Sequence, residues 1–531
     1  MTATIQILLL LLAVLVLAAV IARRLNTAPS IVLVIAGVAL ALIPGLPRVE
    51  LAPELVLLVI LPPLIYSAGV AMSWREFRFN LRPIALLAFG CVIFTTGAVA
   101  LAAHYVLGLP WAVGFLLGAI VAPPDVVAPL AIARRLGIPR RLLVVLEGEG
   151  LANDATALIL YRFAVVAIST GMFSPMQAAG TFAAIVVGEI AWGIGVGWLA
   201  LHLRRLAREP RVEIVLSLMT PYLAYWVPEH LGGSGVLATV AAGLYVSWNG
   251  PLLIPSATRL QGVFFWDLII YMIEGLVFLL TGLQARTLVE TAQTFSLRDL
   301  AIATSVIGAI CVVARFVWVF PAVYVPRWIS PSLRKRDPAP PWTWAFVLSY
   351  TGVRGVVSLA AALAIPLTLA NGQPFPQRDL ILFITFGVII VTLVGLGLMM
   401  PLVIRALGVA RHRAAEHRRE QEAELAARHA AMDAALRDVE QHARERGLPE
   451  DVLALARARH DARAQQFPKT MEEGWDAVAL GAKLRKELIA AEREYLYELL
   501  RDGKITDESR RKLERELDLE EAMIACKEGE A

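Results

Sequence analysis

The chain of 531 residues is 58% apolar and only 18% charged, with a mean hydropathy of +0.65. A soluble globular protein carries about 25% charged residues, so this composition excludes a wholly soluble chain and indicates a membrane protein. The formal net charge of +4 does not indicate nucleic-acid binding, because the basic excess lies in short loops between apolar segments.

The charges divide the chain into two parts. Residues 405–531 contain 24 of the 49 Lys and Arg residues and 28 of the 45 Asp and Glu residues. We therefore predict an all-α polytopic transmembrane domain at residues 1–405 and a cytoplasmic helical tail at residues 406–531. Cys91, Cys311 and Cys526 lie too far apart in the sequence to indicate a disulfide framework or a metal cluster.

The membrane part contains thirteen predicted spans. A helix that crosses the bilayer needs about 20 apolar residues, and such segments start near residues 4, 29, 52, 83, 109, 142, 178, 212, 233, 260, 299, 342 and 379. The first segment is not predicted to be a signal peptide, because its arginines, Arg23 and Arg24, follow the apolar run instead of preceding it.

The basic residues of the loops predict the orientation of these spans. Eighteen Lys and Arg residues lie in alternate loops, whereas the other loops hold only four, Arg48, Arg286, Arg298 and Arg378. Cytoplasmic loops carry the basic excess. We therefore expect a multi-pass protein of the cell inner (plasma) membrane, with its N-terminus outside and its tail in the cytoplasm.

The fifth and twelfth spans are predicted to be broken helices. Three prolines and Asp125 interrupt the fifth span, and Gly352, Arg354 and Gly355 interrupt the twelfth. Proline removes a helical hydrogen bond, and unwound backbone at this depth is tolerated only inside protein or around a wet cavity. Two interrupted helices at related positions are typical of transporters with inverted repeats and an ion site at the midplane.

The charges of the two interruptions fit helix ends that meet inside the membrane. Asp125 is expected to neutralise the positive N-termini of the half-helices and Arg354 their negative C-termini. For Arg354 we favour this scaffold role alone. For Asp125 both a scaffold role and direct contact with the ion remain open.

The sixth span contains the run LEGEGLANDATALILYRF, which holds the strongest candidate for ion binding. Glu149 and Asn153 are one helical turn apart and share a face, and Asp154 is adjacent. A carboxylate beside an amide supplies the oxygen ligands that a hard monovalent cation prefers. The alternative for Asp154 is a structural carboxylate paired with an arginine, a role that Glu149 fits better.

Two further charges of the spans have predicted roles. Arg315 in the eleventh span is the expected partner of Glu149, because neither charge is stable alone in hydrocarbon. Three roles are open for Glu274: lining the outer part of the ion path, pairing with an arginine, or being protonated. No role is assigned to the remaining charges of the spans, Glu147, Glu189 and Arg162.

Four motifs together resemble the electroneutral branch of the monovalent cation/proton antiporters, the sodium/proton exchangers of bacteria and eukaryotes. That branch has a Glu-Ser-x-x-Asn-Asp run in its sixth helix, an Asp after Thr or Pro in its broken fifth helix, an Ala-Arg-hydrophobic run in its eleventh and Gly-x-Arg-Gly in its broken twelfth. The matching residues here are Glu149–Asp154, Pro124-Asp125, Ala314-Arg315-Phe316 and Gly352–Gly355. The resemblance covers about residues 5–405.

The resemblance implies a fold of thirteen helices with inverted repeats, a homodimer, and elevator-like movement of a core domain. It also implies that Asp154 binds the cation and that Glu149 and Arg315 form a supporting pair. Two departures affect ion choice. Gly150 replaces a serine and Pro124 replaces a common threonine, and each change removes a hydroxyl oxygen from the set of ligands that other members have.

The tail has a basic first segment and is otherwise rich in Ala, Glu, Arg and Leu. Anionic lipid is expected near its first basic residues, Arg411, Arg413, Arg418 and Arg419. Two interpretations of the remainder stay open: a solvated helical appendage, or a regulatory or dimer-bridging domain. Five of the eight histidines lie in the tail, but no spacing among them specifies a pH sensor.

Together these features predict an antiporter that exchanges Na+, Li+ or K+ for H+ and needs no cofactor. Cation and proton are expected to compete for Asp154, and because Asn153 cannot ionise, exchange of one for one is expected to be electroneutral. A membrane-embedded enzyme is disfavoured, because the membrane part has only His104, His202 and His230, widely separated, and no nucleophile elbow or HExxH run. A channel is disfavoured because no carbonyl filter repeat occurs.

Overall fold

The computed structural model describes residues 2–25, 27–44, 51–291, 295–369, 372–409, 411–446, 449–464, 475–502 and 504–530. Arg48 lies outside these residues, and the side chains of Arg411, Arg413 and Cys526 are likewise outside the described part. The chain forms two compact units, Met1–Ala410 and Arg411–Ala531. Within the described ranges β pairing is limited to one isolated bridge, between Thr368 and Pro374, so the predicted all-α fold is confirmed.

The first unit is built from helices whose apolar composition suits a membrane. Eight of the described helices are long and apolar enough to cross a bilayer, and each of the thirteen predicted spans overlaps a helix or a pair of half-helices. The number of crossings itself stays a prediction. The bounds of the helices are Thr2–Leu25, Pro29–Ala41, Leu55–Ala71, Trp74–Phe79, Leu81–Tyr105, Trp111–Val121, Val127–Leu136, Arg140–Thr170, Pro175–Ala207, Pro210–His230, Val236–Leu253, Ser256–Leu283, Ala285–Thr291, Leu297–Ile329, Pro331–Arg336, Trp342–Tyr350, Val356–Leu363 and Arg378–Ala406.

The long helices of this unit pack as two groups. The broken-helix bundle contains two interrupted helices together with Leu81–Tyr105, Arg140–Thr170, Leu297–Ile329 and Arg378–Ala406. The first broken helix is Trp111–Val121 with Val127–Leu136, and the second broken helix is Trp342–Tyr350 with Val356–Leu363. The flanking bundle contains Thr2–Leu25, Pro29–Ala41, Leu55–Ala71, Pro175–Ala207, Pro210–His230, Val236–Leu253 and Ser256–Leu283.

Glycine allows one pair of helices in the flanking bundle to approach closely. Gly37 of Pro29–Ala41 lies against Gly282 of Ser256–Leu283, and a Cβ atom on Gly37 would come within 2.9 Å of the Gly282 Cα atom. Small residues at such crossings let two backbones make van der Waals contact, which is the main attraction between helices in lipid. Any larger residue at either position would force these helices apart.

The second unit consists of four helices, Arg411–Glu445, Glu450–Ala464, Trp475–Arg501 and Asp507–Glu530. They pack as two pairs in chain order. The last pair has a small apolar core of Ile489, Leu517 and Ile524, and Arg485 contacts Glu520 beside it with an N–O distance of 2.7 Å. Most of the other side chains are exposed, so this unit is a charged helical assembly.

Candidate functional site

The interruptions of the two broken helices meet inside the broken-helix bundle. Residues 122–126 separate the halves of the first, and residues 351–355 separate the halves of the second. The backbone N–H of Asp125 donates to the carbonyl oxygen of Val353 with an N–O distance of 2.7 Å. Unwound backbone at this depth needs partners within the protein, and each interruption supplies one to the other.

Asp125 lies where two half-helices begin. Its Oδ1 atom accepts a hydrogen bond from the backbone N–H of Val127, at the start of Val127–Leu136, with a distance of 2.9 Å. Its carboxylate also packs against Gly355, the residue that precedes Val356–Leu363, and a Cβ atom on Gly355 would overlap it. A carboxylate suits both positions, because helix N-termini carry partial positive charge.

Arg354 lies where the first half-helix of the first broken helix ends. Its side chain is only 1% exposed, and its Nε atom donates to the carbonyl oxygen of Val121 at 2.6 Å. Its guanidinium also donates to the Gly352 carbonyl oxygen, and its backbone N–H donates to Thr392 Oγ1 at 3.0 Å. The guanidinium group of Arg354 thus donates its hydrogen bonds to backbone carbonyl oxygens that have no helical partner at the interruptions.

Glu149 and Arg315 contact each other with two hydrogen bonds. Nη1 and Nη2 of Arg315 lie 2.5 and 2.8 Å from the two carboxylate oxygens of Glu149, and both side chains are almost completely buried. The Nε atom of Arg315 also donates to the Leu348 carbonyl oxygen at 2.9 Å. This last contact, which the sequence did not suggest, ties the pair to the end of Trp342–Tyr350.

Asp154 differs from its charged neighbours because its carboxylate has no hydrogen-bond or ion-pair partner within the described part of the chain. The side chain is partly accessible, whereas the adjacent Asn153 is completely buried. The Asn153 Nδ2 atom donates to the Pro124 carbonyl oxygen at 2.7 Å, and its Oδ1 atom has no partner among the described residues. One free carboxylate and one buried amide oxygen therefore lie beside the first interruption.

One of the two departures from the resembled family, Gly150, has a steric explanation in this region. Gly150 packs against the Val126 side chain, and a Cβ atom on Gly150 would lie 3.1 Å from one Val126 methyl carbon and still closer to the other. A serine at position 150 would therefore need Val126 to move. Pro124 has no hydroxyl group, but its carbonyl oxygen is the acceptor that orients Asn153.

Glu274 belongs to the surroundings of the site. It interacts electrostatically with Asp125 and with Arg134, and Arg134 is in the last turn of Val127–Leu136. Asp125 in turn interacts electrostatically with Asp154. Asp125 thus interacts electrostatically with two other acids, Asp154 and Glu274, and the three roles open for Glu274 stay predictions.

The three charges without a predicted role all have partners. Glu147 contacts Arg134 at 2.6 Å near the surface. Arg162 pairs with Glu229 of Pro210–His230. The buried carboxylate of Glu189 accepts hydrogen bonds from the backbone N–H groups that begin Val236–Leu253, those of Ser234, Gly235 and Leu237, at 2.5, 3.1 and 3.1 Å.

Sequence reasoning overlooked Asp337, which brings together three arginines of the broken-helix bundle. Its carboxylate oxygens lie 2.9 Å from Arg82, 2.8 Å from Arg141 and 2.7 Å from Arg327. The three arginines come from three different helices of the broken-helix bundle. The one available signal was an acid in a loop that is otherwise basic, which predicts a local ion pair but not its distant partners.

Comparison with known proteins bears on what this arrangement does. The family profile described as "Sodium/hydrogen exchanger, transmembrane" matches residues 9–406. The chain is 35% identical over 398 residues to an uncharacterised Na+/H+ exchanger of Mycobacterium tuberculosis, covering 74% of this chain and 73% of that protein. It is 33% identical over 378 residues to the sodium, potassium, lithium and rubidium/H+ antiporter of Bacillus pumilus, covering 69% of this chain and 56% of that protein.

One solved structure has the same fold at low sequence identity. It is the sodium proton antiporter MjNhaP1 from Methanocaldococcus jannaschii, determined at pH 8. The TM-score is 0.59 at 17% identity, with 76% of this chain and 99% of that chain covered. At this identity the likeness concerns the arrangement of the helices and not the identity of the ion.

Proposed function

The chain belongs to the sodium/hydrogen exchanger family, and from that premise we propose that it exchanges Na+ for H+ by alternating access, with both ions binding to Asp154. Membership confirms the resemblance drawn from the sequence, and it makes the chain a multi-pass cation/proton antiporter and not an enzyme. The role of Asp154, the one-for-one stoichiometry, the homodimer, the inner-membrane location and the orientation of the termini belong to the proposal.

The observation that carries the proposal is the contrast between Asp154 and the charges around it. Glu149, Arg315 and Arg354 each have several hydrogen bonds that hold them in the scaffold. Asp154 has neither a hydrogen bond nor an ion pair with a described residue, and it is partly accessible. An unpaired carboxylate at this depth is costly unless it takes up a cation or a proton.

Asn153 and Asp125 have supporting parts in this proposal. The Asn153 Oδ1 atom is a buried oxygen without a partner among the described residues, so it is available as a second ligand for the cation beside Asp154. Asp125 holds the N-termini of two half-helices and interacts electrostatically with Asp154. We assign Asp125 mainly to the scaffold, with a constant charge through the cycle.

Exchange follows from the free energy of moving a charge. The ionised carboxylate of Asp154 is too costly to carry through a low-dielectric region when it is empty. Binding of Na+ or of H+ neutralises this carboxylate equally. Both loaded forms can therefore switch the site from one side of the membrane to the other, and the empty form cannot. Competition for one carboxylate then couples inward movement of protons to outward movement of the cation.

A second candidate substrate is K+. Gly150 and Pro124 offer no side-chain hydroxyl as an ion ligand, and the similar Bacillus pumilus protein is named for sodium, potassium, lithium and rubidium. Fewer fixed ligands around a site reduce its preference for one cation size. We therefore keep a potassium/proton antiporter as the alternative function of the same site.

The test is cation-dependent collapse of a pH gradient in proteoliposomes, with Na+, Li+ and K+ added in turn. We expect the wild-type chain to respond, the Asp154→Asn variant to fold without responding, and an Asp299→Asn control to respond normally. Asp299 is exposed in the first turn of Leu297–Ile329. An unresponsive wild-type chain would overturn the exchange function, and a fully active Asp154→Asn variant would overturn the assignment of the site.

A further inference from the structure

A cavity of about 320 Å³ in the first unit lies where three helices begin or end. The start of Pro29–Ala41 forms one wall, with Thr27 and Pro29. The end of the first broken helix, with Arg135, forms the second wall, and the end of Arg378–Ala406, with Pro401 and Arg405, forms the third. The cavity is thus bordered by one helix of the flanking bundle and two helices of the broken-helix bundle.

The charge of this cavity is unbalanced. Arg135 and Arg405 line it, and none of its lining residues is acidic. The neighbouring arginines differ, since Arg134 contacts Glu147 and Arg141 contacts Asp337. Neither Arg135 nor Arg405 forms an ion pair with a described residue, and both side chains are exposed. Two guanidinium groups therefore border one cavity without an anion from the described chain.

The partial charges of the helix ends around the cavity offset the positive charge of the two arginines only partly. Each arginine lies in the last turn of its helix, and each helix C-terminus contributes roughly half a negative charge. Pro29–Ala41 begins at the cavity with the opposite polarity, and its N-cap residue, Ala28, makes no side-chain hydrogen bond to it. The sum of these partial charges leaves an excess of more than one positive charge at the cavity.

We propose that this cavity binds a phosphate-bearing anion through Arg135 and Arg405. A guanidinium group matches phosphate oxygens with paired hydrogen bonds, and the cavity volume lies in the range of small-ligand sites. The apolar part of the wall, which includes Ile132 and Pro401, suits a carbon chain attached to the phosphate. Two sources share this chemistry, the headgroup of an anionic phospholipid and a free phosphate compound.

A bound anion would connect the two bundles. Its contacts would join Thr27 and Pro29 of the flanking bundle to Arg135 and Arg405 of the broken-helix bundle. If the alternating access of the proposed function moves one bundle against the other, occupancy of the cavity lowers the rate of transport. This consequence rests on the proposed function, whereas binding of the anion does not.

Binding is tested by thermal unfolding of the purified full-length chain in detergent. Phosphatidylglycerol, phosphatidylcholine and inorganic phosphate are added separately, and each shift in Tm is compared with the same protein without additive. We expect phosphatidylglycerol or phosphate to raise the Tm of the wild-type chain, and phosphatidylcholine to have little effect. A shift with phosphatidylglycerol alone identifies a lipid site, and a shift with inorganic phosphate identifies a site for free anions.

The matched variants are Arg135→Gln/Arg405→Gln and the control Arg205→Gln. Arg205 is also exposed in the last turn of a helix, Pro175–Ala207, but it does not line the cavity. We expect the apparent affinity for the anion to fall about tenfold or more in the double variant, because hydrogen bonds to charged groups are lost, and to be unchanged in the control. Arg405→Lys keeps the charge without the paired geometry and is expected to give an intermediate affinity.

Two outcomes would overturn the site. One is a wild-type chain whose Tm responds to neither phosphatidylglycerol nor phosphate, and the other is an equal response in the double variant and the control. The transport consequence is measured separately, as exchange rates in liposomes with and without phosphatidylglycerol. Exchange that fails in every lipid would count against the proposed function, while the Tm shifts still decide whether the anion binds.

Discussion

The backbone N–H of Asp125 donates to the carbonyl oxygen of Val353 at 2.7 Å, so the interruptions of the two broken helices are directly bonded to each other. The Asp125 carboxylate lies against Gly355 in the same place. Each interruption thus completes the hydrogen bonding of the other. Displacement of one break would be transmitted to the other and to Asn153, which is bonded to the Pro124 carbonyl oxygen.

Gly355→Ala is expected to impair exchange strongly. The new methyl group would overlap the Asp125 carboxylate, which would have to leave the N-terminus of Val356–Leu363. Overpacking of this kind costs about 1–3 kcal/mol, and we expect the exchange rate in proteoliposomes to fall about tenfold or more. Gly97→Ala is the control, because nothing lies within 4 Å of a Cβ atom there. Wild-type exchange in Gly355→Ala would contradict a tightly packed contact between the breaks.

Glu149 and Arg315 are expected to stabilise the fold as a pair. Removing one partner leaves the other charge buried, at a cost of roughly 3–5 kcal/mol. Either single change, Glu149→Gln or Arg315→Gln, should therefore lower the Tm clearly. The double change should recover part of the loss but not all of it, because Arg315 also donates to the Leu348 carbonyl oxygen. Simple addition of the two single losses would show that the pair is not coupled.

Transport is expected to be insensitive to the membrane potential. In the proposed cycle Asp154 binds one ion at a time, either Na+ or H+. The residue before it, Asn153, cannot ionise. Moving one net charge would couple to about 2.3 kcal/mol per 100 mV, an effect that is easy to measure. The assay uses Na+ as substrate in proteoliposomes with fixed K+ gradients, with and without valinomycin. A rate that follows the potential would indicate a second titrating group, and Asp125 and Glu274 would be tested first.

Glu189→Gln is expected to destabilise the flanking bundle. The carboxylate of Glu189 accepts hydrogen bonds from three backbone N–H groups at the start of Val236–Leu253. An amide keeps one acceptor oxygen but places its N–H group against at least one of these N–H donors, which should cost about 1–3 kcal/mol and lower the Tm. Glu209→Gln is the matched control, because Glu209 is an exposed N-cap residue whose side chain makes no capping bond. Equal Tm values for the two variants would rule out a structural role for the cap.

Removal of residues 412–531 is expected to leave a membrane protein that still exchanges ions. The two units are compact by themselves, and every charge assigned to the ion site precedes Arg405. The measurement is the exchange rate of the truncated chain across a range of pH, in which a shifted profile would support a regulatory tail. A truncated chain that is well folded and inactive at every pH would show that the tail is part of the transport machinery.

Much of the architecture follows from the sequence because membrane constraints act locally. Each predicted span overlaps a helix or a pair of half-helices, since in lipid every backbone polar group must find a partner within the protein. Pro123 and Pro124 remove helical hydrogen bonds wherever they occur, so the first interruption was predictable from the chain alone. The contact of Glu149 with Arg315 was expected for a related reason, because a lone buried charge is costly.

The tertiary structure alone decides which distant groups meet. Periodicity reports which face of a helix is buried, but it does not report which helix packs against that face. Glu189 at the start of another helix, and Asp337 among three arginines, both depend on that packing. The same holds for the cavity of Arg135 and Arg405. Local composition thus sets the helices, their interruptions and the charges they carry, and the packing of helices far apart in the chain sets the partners of those charges.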